Sequence, residues 1–191
     1  MIRVFRYLKK WTKGTIIIDP KYPEHSQFDV ADYDSWKAFY PDAEEMMPEP
    51  GECQKLKEAK GRITVYIDAD HAHDVVTRRS VTGVLLFLNK TPVKWVTKRQ
   101  KTVETSTYGS ELVAAKIATE LILEYRYFLR MLGTEPDRPA LMLEDNNSVV
   151  LNCTMPSSVL IKKASACSYH SIRGAIASCV MKFAHIQSDY N

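Results

Sequence analysis

No apolar run in this 191-residue sequence approaches the roughly eighteen residues of a membrane-spanning helix. The N-terminal stretch MIRVFRYLKKWTKGT also lacks the apolar core and cleavage site of a signal peptide, so nothing points to secretion or to a membrane. Cysteine is sparse. Cys53, Cys153, Cys167 and Cys179 fall at no metal-ligand spacing and form no compact disulfide framework, the pattern of reduced intracellular thiols. There is no internal repeat. Acid is missing from one long stretch: Asn146 to Ser188 contains no Asp or Glu yet carries Lys162, Lys163, Arg173 and Lys182. Such a stretch suits a phosphate backbone, and a solvated basic face is its plainer meaning. The net charge of +3 is too small to add to this.

What is present is enough apolar residue, 45% of the chain, to bury a core in one domain with an appendage. Composition divides the chain near Gly61. Val4, Leu8 and Trp11 have helical spacing, and TIIID, Thr15 to Asp19, reads as a short strand. Pro20 to Lys60, rich in proline and acid, reads as a linker or wrapping segment. From Arg62 the pattern tightens into strands over Arg62–Ile67, Val81–Leu88 and Val93–Lys98, with NKTP turning between the last two. A long helix follows from about Ser106 to Leu132, with Leu112, Ala115, Thr119, Ile122, Leu129 and Leu132 on its apolar side and Gly133 as its C-terminal cap. ALML, Ala140 to Leu143, is the apolar run of a strand buried on both faces.

Asp68 follows the first of these strands and Asp145 follows the last. One Asp after a strand is ordinary turn chemistry. Topology joins the two. In a meander the third strand runs parallel to the first, and a right-handed helical crossover delivers the fourth in the same direction. If the fourth takes the free edge of the first, Asp68 and Asp145 lie side by side at the rim where open α/β sheets place ligands. Glu111 falls one helical turn before Ala115 and two before Ala118, small residues that let the helix lie close to the sheet, so it points at the same rim. Neighbouring carboxylates repel unless a cation sits between them. Asp, Glu, Asp on three elements is a hard-oxygen site for Mg²⁺ rather than for zinc.

Four blocks of sequence carry a family resemblance: RVFRYLKKWTKG, VYIDADHAHDVVTRRSVTGVLLFLNKTPVKWVTKRQKTVETSTYGSELVAA, LEDNNSVV and SYHSIRGAIASCVMKFAHIQSDYN. Together they resemble the ribonuclease H domain of copia-type LTR-retrotransposon Pol polyproteins, preceded by the end of the reverse transcriptase. The resemblance implies an α/β ribonuclease H-like fold, a five-stranded mixed sheet flanked by helices, with an N-terminal extension. It divides the chain into the end of the reverse transcriptase or connection region at 1–19, a linker at 20–60 and a ribonuclease H-like domain at 61–191, cut short at its C-terminus. The family's metal-binding carboxylates fall on Asp68, Glu111 and Asp145. Its fourth carboxylate belongs to an N-x-A-D motif that would begin at Asn191. Asp189 precedes the matching position, and the role does not transfer to it. The residues given therefore imply a site one ligand short, with cleavage weak or absent.

The activity so implied is two-metal hydrolysis, by Mg²⁺ with Mn²⁺ as a substitute, of the RNA strand of an RNA–DNA hybrid during reverse transcription. Its implied partners are the hybrid and the reverse transcriptase part of the same polyprotein, in a cytoplasmic virus-like particle or in the nucleus. Arg78, Arg79, Lys98, Arg99 and Lys101 are candidate phosphate contacts, or plain solvated loop charge. The alternative function is an inactive nucleic-acid-binding or structural relic of the same fold. A transposase or integrase is less well matched, because there the third acid follows the second Asp, whereas Glu111 lies between the two. His71 and His73 alternate as transition-metal ligands can, although a polar turn is the simpler reading. His170 and His185 are candidates for product release or proton transfer, with packed or surface roles as the alternative. Trp95 and Tyr108 are positioned to stack on nucleotides, but in a strand and at a helix start they are expected in the core.

Overall fold

The computed structural model describes residues 15–28, 34–45, 60–134, 136, 138–160 and 163–187. The expected helix around Val4, Leu8 and Trp11, together with Cys53, Lys162 and Asp189, lies outside the described residues. Among those described, five strands form one mixed sheet: β1 (Ile63–Asp70), β2 (Val81–Leu88), β3 (Thr91–Arg99), β4 (Ala140–Glu144) and β5 (Met181–His185), in the order β3-β2-β1-β4-β5. The helices are α1 (Asp34–Lys37), α2 (Thr107–Met131), α3 (Asn147–Thr154) and α4 (Ala166–Ala177). This is the expected fold class.

The meander β1-β2-β3 is antiparallel, and β4 pairs with β1 in parallel, Tyr66 opposite Leu143. Asp68 and Asp145, each two residues further on, therefore stand at one level of neighbouring strands. β1 runs three residues beyond its expected end at Ile67, because its antiparallel partner continues: Asp68 pairs with Gly83 and Asp70 with Val81. Asp68 thus belongs to the strand. Alternation sends Ile63, Val65, Ile67 and Ala69 into the core and leaves Asp68 and Asp70 exposed on the other face.

Helix α2 is capped at both ends by the residues that sequence suggests. Ser106 accepts a hydrogen bond from Gly109 N–H at 3.2 Å. Gly133 has φ 75° and donates to Arg130 O, while Thr134 donates to Leu129 O, both at 2.9 Å, the paired bonds of a Schellman ending. Leu112, Ala115, Thr119, Ile122 and Leu129 are buried against the sheet as expected. Leu132 is not: it follows the last helical residue, where the chain turns away from the sheet, and is exposed.

Other expectations need correcting. Thr15–Asp19 forms no strand; it meets the β2–β3 turn through Asp19, whose main chain exchanges hydrogen bonds with Thr91 Oγ1, and Ile16, Ile17 and Ile18 stay exposed. Trp95 is 62% exposed, because β3 is an edge strand and Trp95 pairs with Leu85, itself exposed on the face away from the core. Tyr108 is half-buried against the core, its hydroxyl donating to Asn152 Oδ1 at 2.7 Å.

Part of the acid-rich segment wraps the domain. Trp36 on α1 is buried, and Glu45 forms a two-pronged ion pair with Arg126 on α2, 2.7 Å at each prong, and a third contact with Arg130 at 2.8 Å. Arg173 on α4 anchors this wrap. It is buried, lies 4.8 Å from the Trp36 ring and 4.9 Å from that of Tyr169, and donates to the carbonyls of Met155 and Pro156 and to Tyr40 Oη. Of the four cations in the acid-free stretch, Arg173 is therefore committed to the fold.

Candidate metal centre

Three elements deliver the expected acids to one place. Asp68 comes from β1, Asp145 from the turn between β4 and α3, and Glu111 from the start of the second turn of α2, directly before buried Leu112. Each offers a carboxylate oxygen, and these oxygens lie within 4.8 Å of one another. Asp145 is held by a local device: Asn146 caps α3 by accepting from Ser148 N–H at 3.1 Å, which turns the chain sharply after β4. On the other side, Gln100 donates to Thr82 Oγ1 and to the Ser110 carbonyl, at 2.9 and 2.8 Å, fastening the end of β3 and the beginning of α2 to the sheet.

Burial is uneven across the cluster. Asp68 is open to solvent, Asp145 half-buried and Glu111 buried. Desolvation, and then the charges of Asp68 and Asp145, push the Glu111 carboxyl up to about 8, against the main-chain N–H of Ala69, which donates to it. Its second oxygen, Oε2, is buried without a hydrogen-bond partner. A group of hard oxygens, one of them orphaned and all mutually repulsive, fits a small divalent cation that would supply the missing partner and reverse the repulsion. Among the described residues no other three metal-capable side chains meet in this way.

The remaining candidates sort by position. His73 is paired with Asp70, and His71 Nδ1 stands 3.4 Å from Ser110 Oγ, so the alternating histidines do not join a common ligand set. His170 packs edge-on against Tyr169, with its Nδ1 3.3 Å from Tyr40 Oη. His185, at the end of β5, donates from Nε2 to the Asp145 carbonyl at 3.0 Å, beside the cluster. Arg78, Lys98, Arg99 and Lys101 are exposed and Arg79 half-buried. Lys98 is in register with Thr82, which pairs with Ala69, so two strand spacings place it about 10 Å along the rim from β1. Arg99 donates to Asp74 Oδ2 at 2.8 Å. The N–H and hydroxyl of Thr77, then Arg99 and Val76 N–H, hold the Asp74 carboxyl well below the usual carboxylate range. Arg99 therefore braces the loop that carries Arg78 and Arg79.

Sequence reasoning passed over Glu144. It completes β4, is fully buried, and has no hydrogen-bond partner at either carboxylate oxygen. Desolvation, then the charges of Glu111, Asp145 and Asp68, push it up to about 9. Carrying the strand one residue past Leu143 would have placed it on the core face with Ala140 and Met142.

The sheet order, the helical crossover and the position of the acids define a ribonuclease H fold. Solved structures agree: the N-terminal ribonuclease H domain of a Mycobacterium tuberculosis protein superposes with TM-score 0.53 at 9% identity, covering 69% of this chain and 86% of that one. LC11-RNase H1 in complex with RNA/DNA hybrid gives TM-score 0.53 at 16% identity, covering 68% and 88%. The chain's homologues are retrovirus-related Pol polyproteins from transposons. It is 27% identical over 123 residues to that of transposon RE2 of Arabidopsis thaliana, covering 64% of this chain and 8% of the polyprotein. Against that of transposon TNT 1-94 of Nicotiana tabacum it is 26% identical over 141 residues, covering 74% and 10%. The chain thus spans a tenth or less of the length of these relatives. A shorter match, 42% identical over 59 residues, is to secreted RxLR effector protein 161 of Plasmopara viticola, covering 31% of this chain and 42% of that protein. No protein-family model matches.

Proposed function

We propose that this chain is the ribonuclease H part of a copia-type retrotransposon Pol polyprotein, hydrolysing the RNA strand of RNA–DNA hybrids with two Mg²⁺ ions that Mn²⁺ can replace. The observation that carries this reading is the convergence of Asp68, Glu111 and Asp145 oxygens within 4.8 Å on three separate elements. The relatives and the hybrid-bound structural neighbour support it. When bound, the cations would activate a water and stabilise the leaving oxygen of an in-line displacement at phosphorus. The chain's own residues hold and orient. Asp68 and Asp145 present oxygens at the open rim, where a sugar–phosphate backbone can approach, and Glu111 closes the inner side against water. Arg78, Arg79, Lys98, Arg99 and Lys101 flank the rim and suit phosphates on either side of the scissile one. Selection of RNA over DNA rests on helix shape and on the 2′-hydroxyl, because no base edge needs to be read.

The test is incubation of the chain with an end-labelled RNA–DNA hybrid, single-stranded RNA and duplex DNA, in Mg²⁺, Mn²⁺ or chelator. The expected result is slow cleavage of the hybrid's RNA strand alone, absent in chelator. Binding of the hybrid with no cleavage in either metal, by this chain and equally by one extended through the family's fourth carboxylate, would replace this reading with that of a binding module.

A further inference from the structure

Asp145 enters the metal centre from a turn between β4 and α3, so the direction in which its carboxylate leaves the chain must be fixed by its neighbours. Two sets of main-chain bonds approach it and stop short. The β4–β5 ladder runs out with Ile186 N–H donating to the Glu144 carbonyl at 2.9 Å, and the first bonds of α3, from Val149 and Val150, go to the Asn146 carbonyl at 3.1 and 3.2 Å. The Asp145 carbonyl falls between them, and His185 at the end of β5 takes it, with Nε2 3.0 Å away. A carbonyl only accepts, so the proton sits on Nε2, where both the neutral ring in that tautomer and the charged ring carry one. The bond therefore needs no positive charge. Nor does it serve Glu144, the register partner of His185 on β4, whose two carboxylate oxygens have no hydrogen-bond partner.

With the Glu144 carbonyl held by Ile186 and the Asp145 carbonyl held by His185, the peptides on both sides of the Asp145 Cα are pinned. Each peptide is a rigid plane, so pinning the two sets the Cα–Cβ direction and, with it, the aim of the carboxylate. His185 is itself exposed and adds little to the core. We propose that His185 is a positioning residue of the metal centre, whose Nε2–H, donated to the main chain of Asp145, aims that carboxylate at the cation it holds. The inference rests on the metal-site reading above. It requires neither proton transfer nor contact with substrate.

The test is titration of the full chain with Mn²⁺, free ion being counted by electron paramagnetic resonance, for wild type, His185→Leu, His185→Gln, Asp145→Asn, the double variant His185→Leu with Asp145→Asn, and Asp68→Asn. Loss of a hydrogen bond that orients a metal ligand weakens metal affinity by roughly tenfold or more, and His185→Leu should do so. His185→Gln should restore most of the affinity, because its amide donates across a similar reach yet cannot relay a proton. In the Asp145→Asn background His185→Leu should cost almost nothing further, since its effect runs through Asp145. A wild-type isotherm for His185→Leu overturns the assignment, as does an equal loss in His185→Leu and His185→Gln, which would tie the effect to the ring and not to the donor. Full additivity in the double variant, or failure of His185→Leu to fold, overturns it as well. If wild type binds no Mn²⁺ and matches Asp68→Asn, the metal-site reading itself fails and takes this inference with it, an outcome recognisable because wild type is then silent.

Discussion

Replacing Asp145 with Asn changes one oxygen for an amide nitrogen and keeps the side chain's shape, so it separates holding a cation from holding the fold. On the proposed reading Asp145→Asn abolishes hybrid cleavage, by about a thousandfold or more, with folding and hybrid affinity nearly unchanged; single-turnover cleavage alongside filter binding measures both. Glu111 allows a second test that needs no substrate. Its folded-state value of about 8 lies above its ordinary value of 4.5, so between those limits the folded chain holds a proton that the unfolded chain has lost. Stability contributed this way is complete below the ordinary value and disappears as pH rises through the folded one. Urea melts of the metal-free protein should therefore lose on the order of 2 kcal/mol between pH 5 and 9. Glu111→Gln should remove its own share of the slope and leave that of Glu144, whose carboxyl is pushed up to about 9. A metal-free wild type with no pH slope in this window would contradict the desolvated, mutually repelling cluster.

Among the elements, those read most clearly were the ones whose signals are local. Ser106 and Gly133 mark the ends of α2 within one residue, and alternation in ITVYIDAD places the β1 side chains on the correct faces. The position of Asp68 beside Asp145 was legible because the handedness of a crossover leaves β4 few places to go. Contacts between distant segments were not legible. Tyr169, one helical turn earlier, is the one local partner of Arg173; what buries it otherwise are rings from Trp36 and Tyr40 and carbonyls from Met155 and Pro156, far off in sequence. Glu45 gives no local sign of its clasp on Arg126 and Arg130. Arg173→Met should show what such a hub contributes. It leaves buried carbonyls without donors, and a loss of about 3 kcal/mol is expected in urea melts. Metal affinity should stay at the wild-type level, since the acids lie on other elements. A loss below about 0.5 kcal/mol would mean that the wrap is held by its apolar contacts alone.

Across the whole molecule, charge is arranged in zones that a net value of +3 conceals. The acids of the candidate metal centre occupy one end of the central strands β1 and β4. Lys98, Arg99 and Lys101 lie along the same rim beyond β2, and Arg78 and Arg79 sit on the loop braced by Asp74. A hybrid entering the site would lay its backbone across this basic flank, and every phosphate contact displaces condensed counterions. The logarithm of hybrid affinity should then fall linearly with the logarithm of salt concentration, with a slope of nearly one unit per contact. If three to five of these cations engage, affinity drops by roughly 10²-fold between 50 and 200 mM salt. Substituting Lys98 or Lys101 with Gln should lower the slope by about one unit each and weaken hybrids of every sequence alike. Arg99→Gln should do more than remove one contact, because it also frees Asp74 and loosens the loop that presents Arg78 and Arg79. Fluorescence anisotropy with a labelled hybrid, in chelator so that cleavage and metal bridging play no part, measures these slopes directly. An affinity that stays flat across that salt range would assign the whole flank to ordinary solvated charge, leaving recognition to the metal centre.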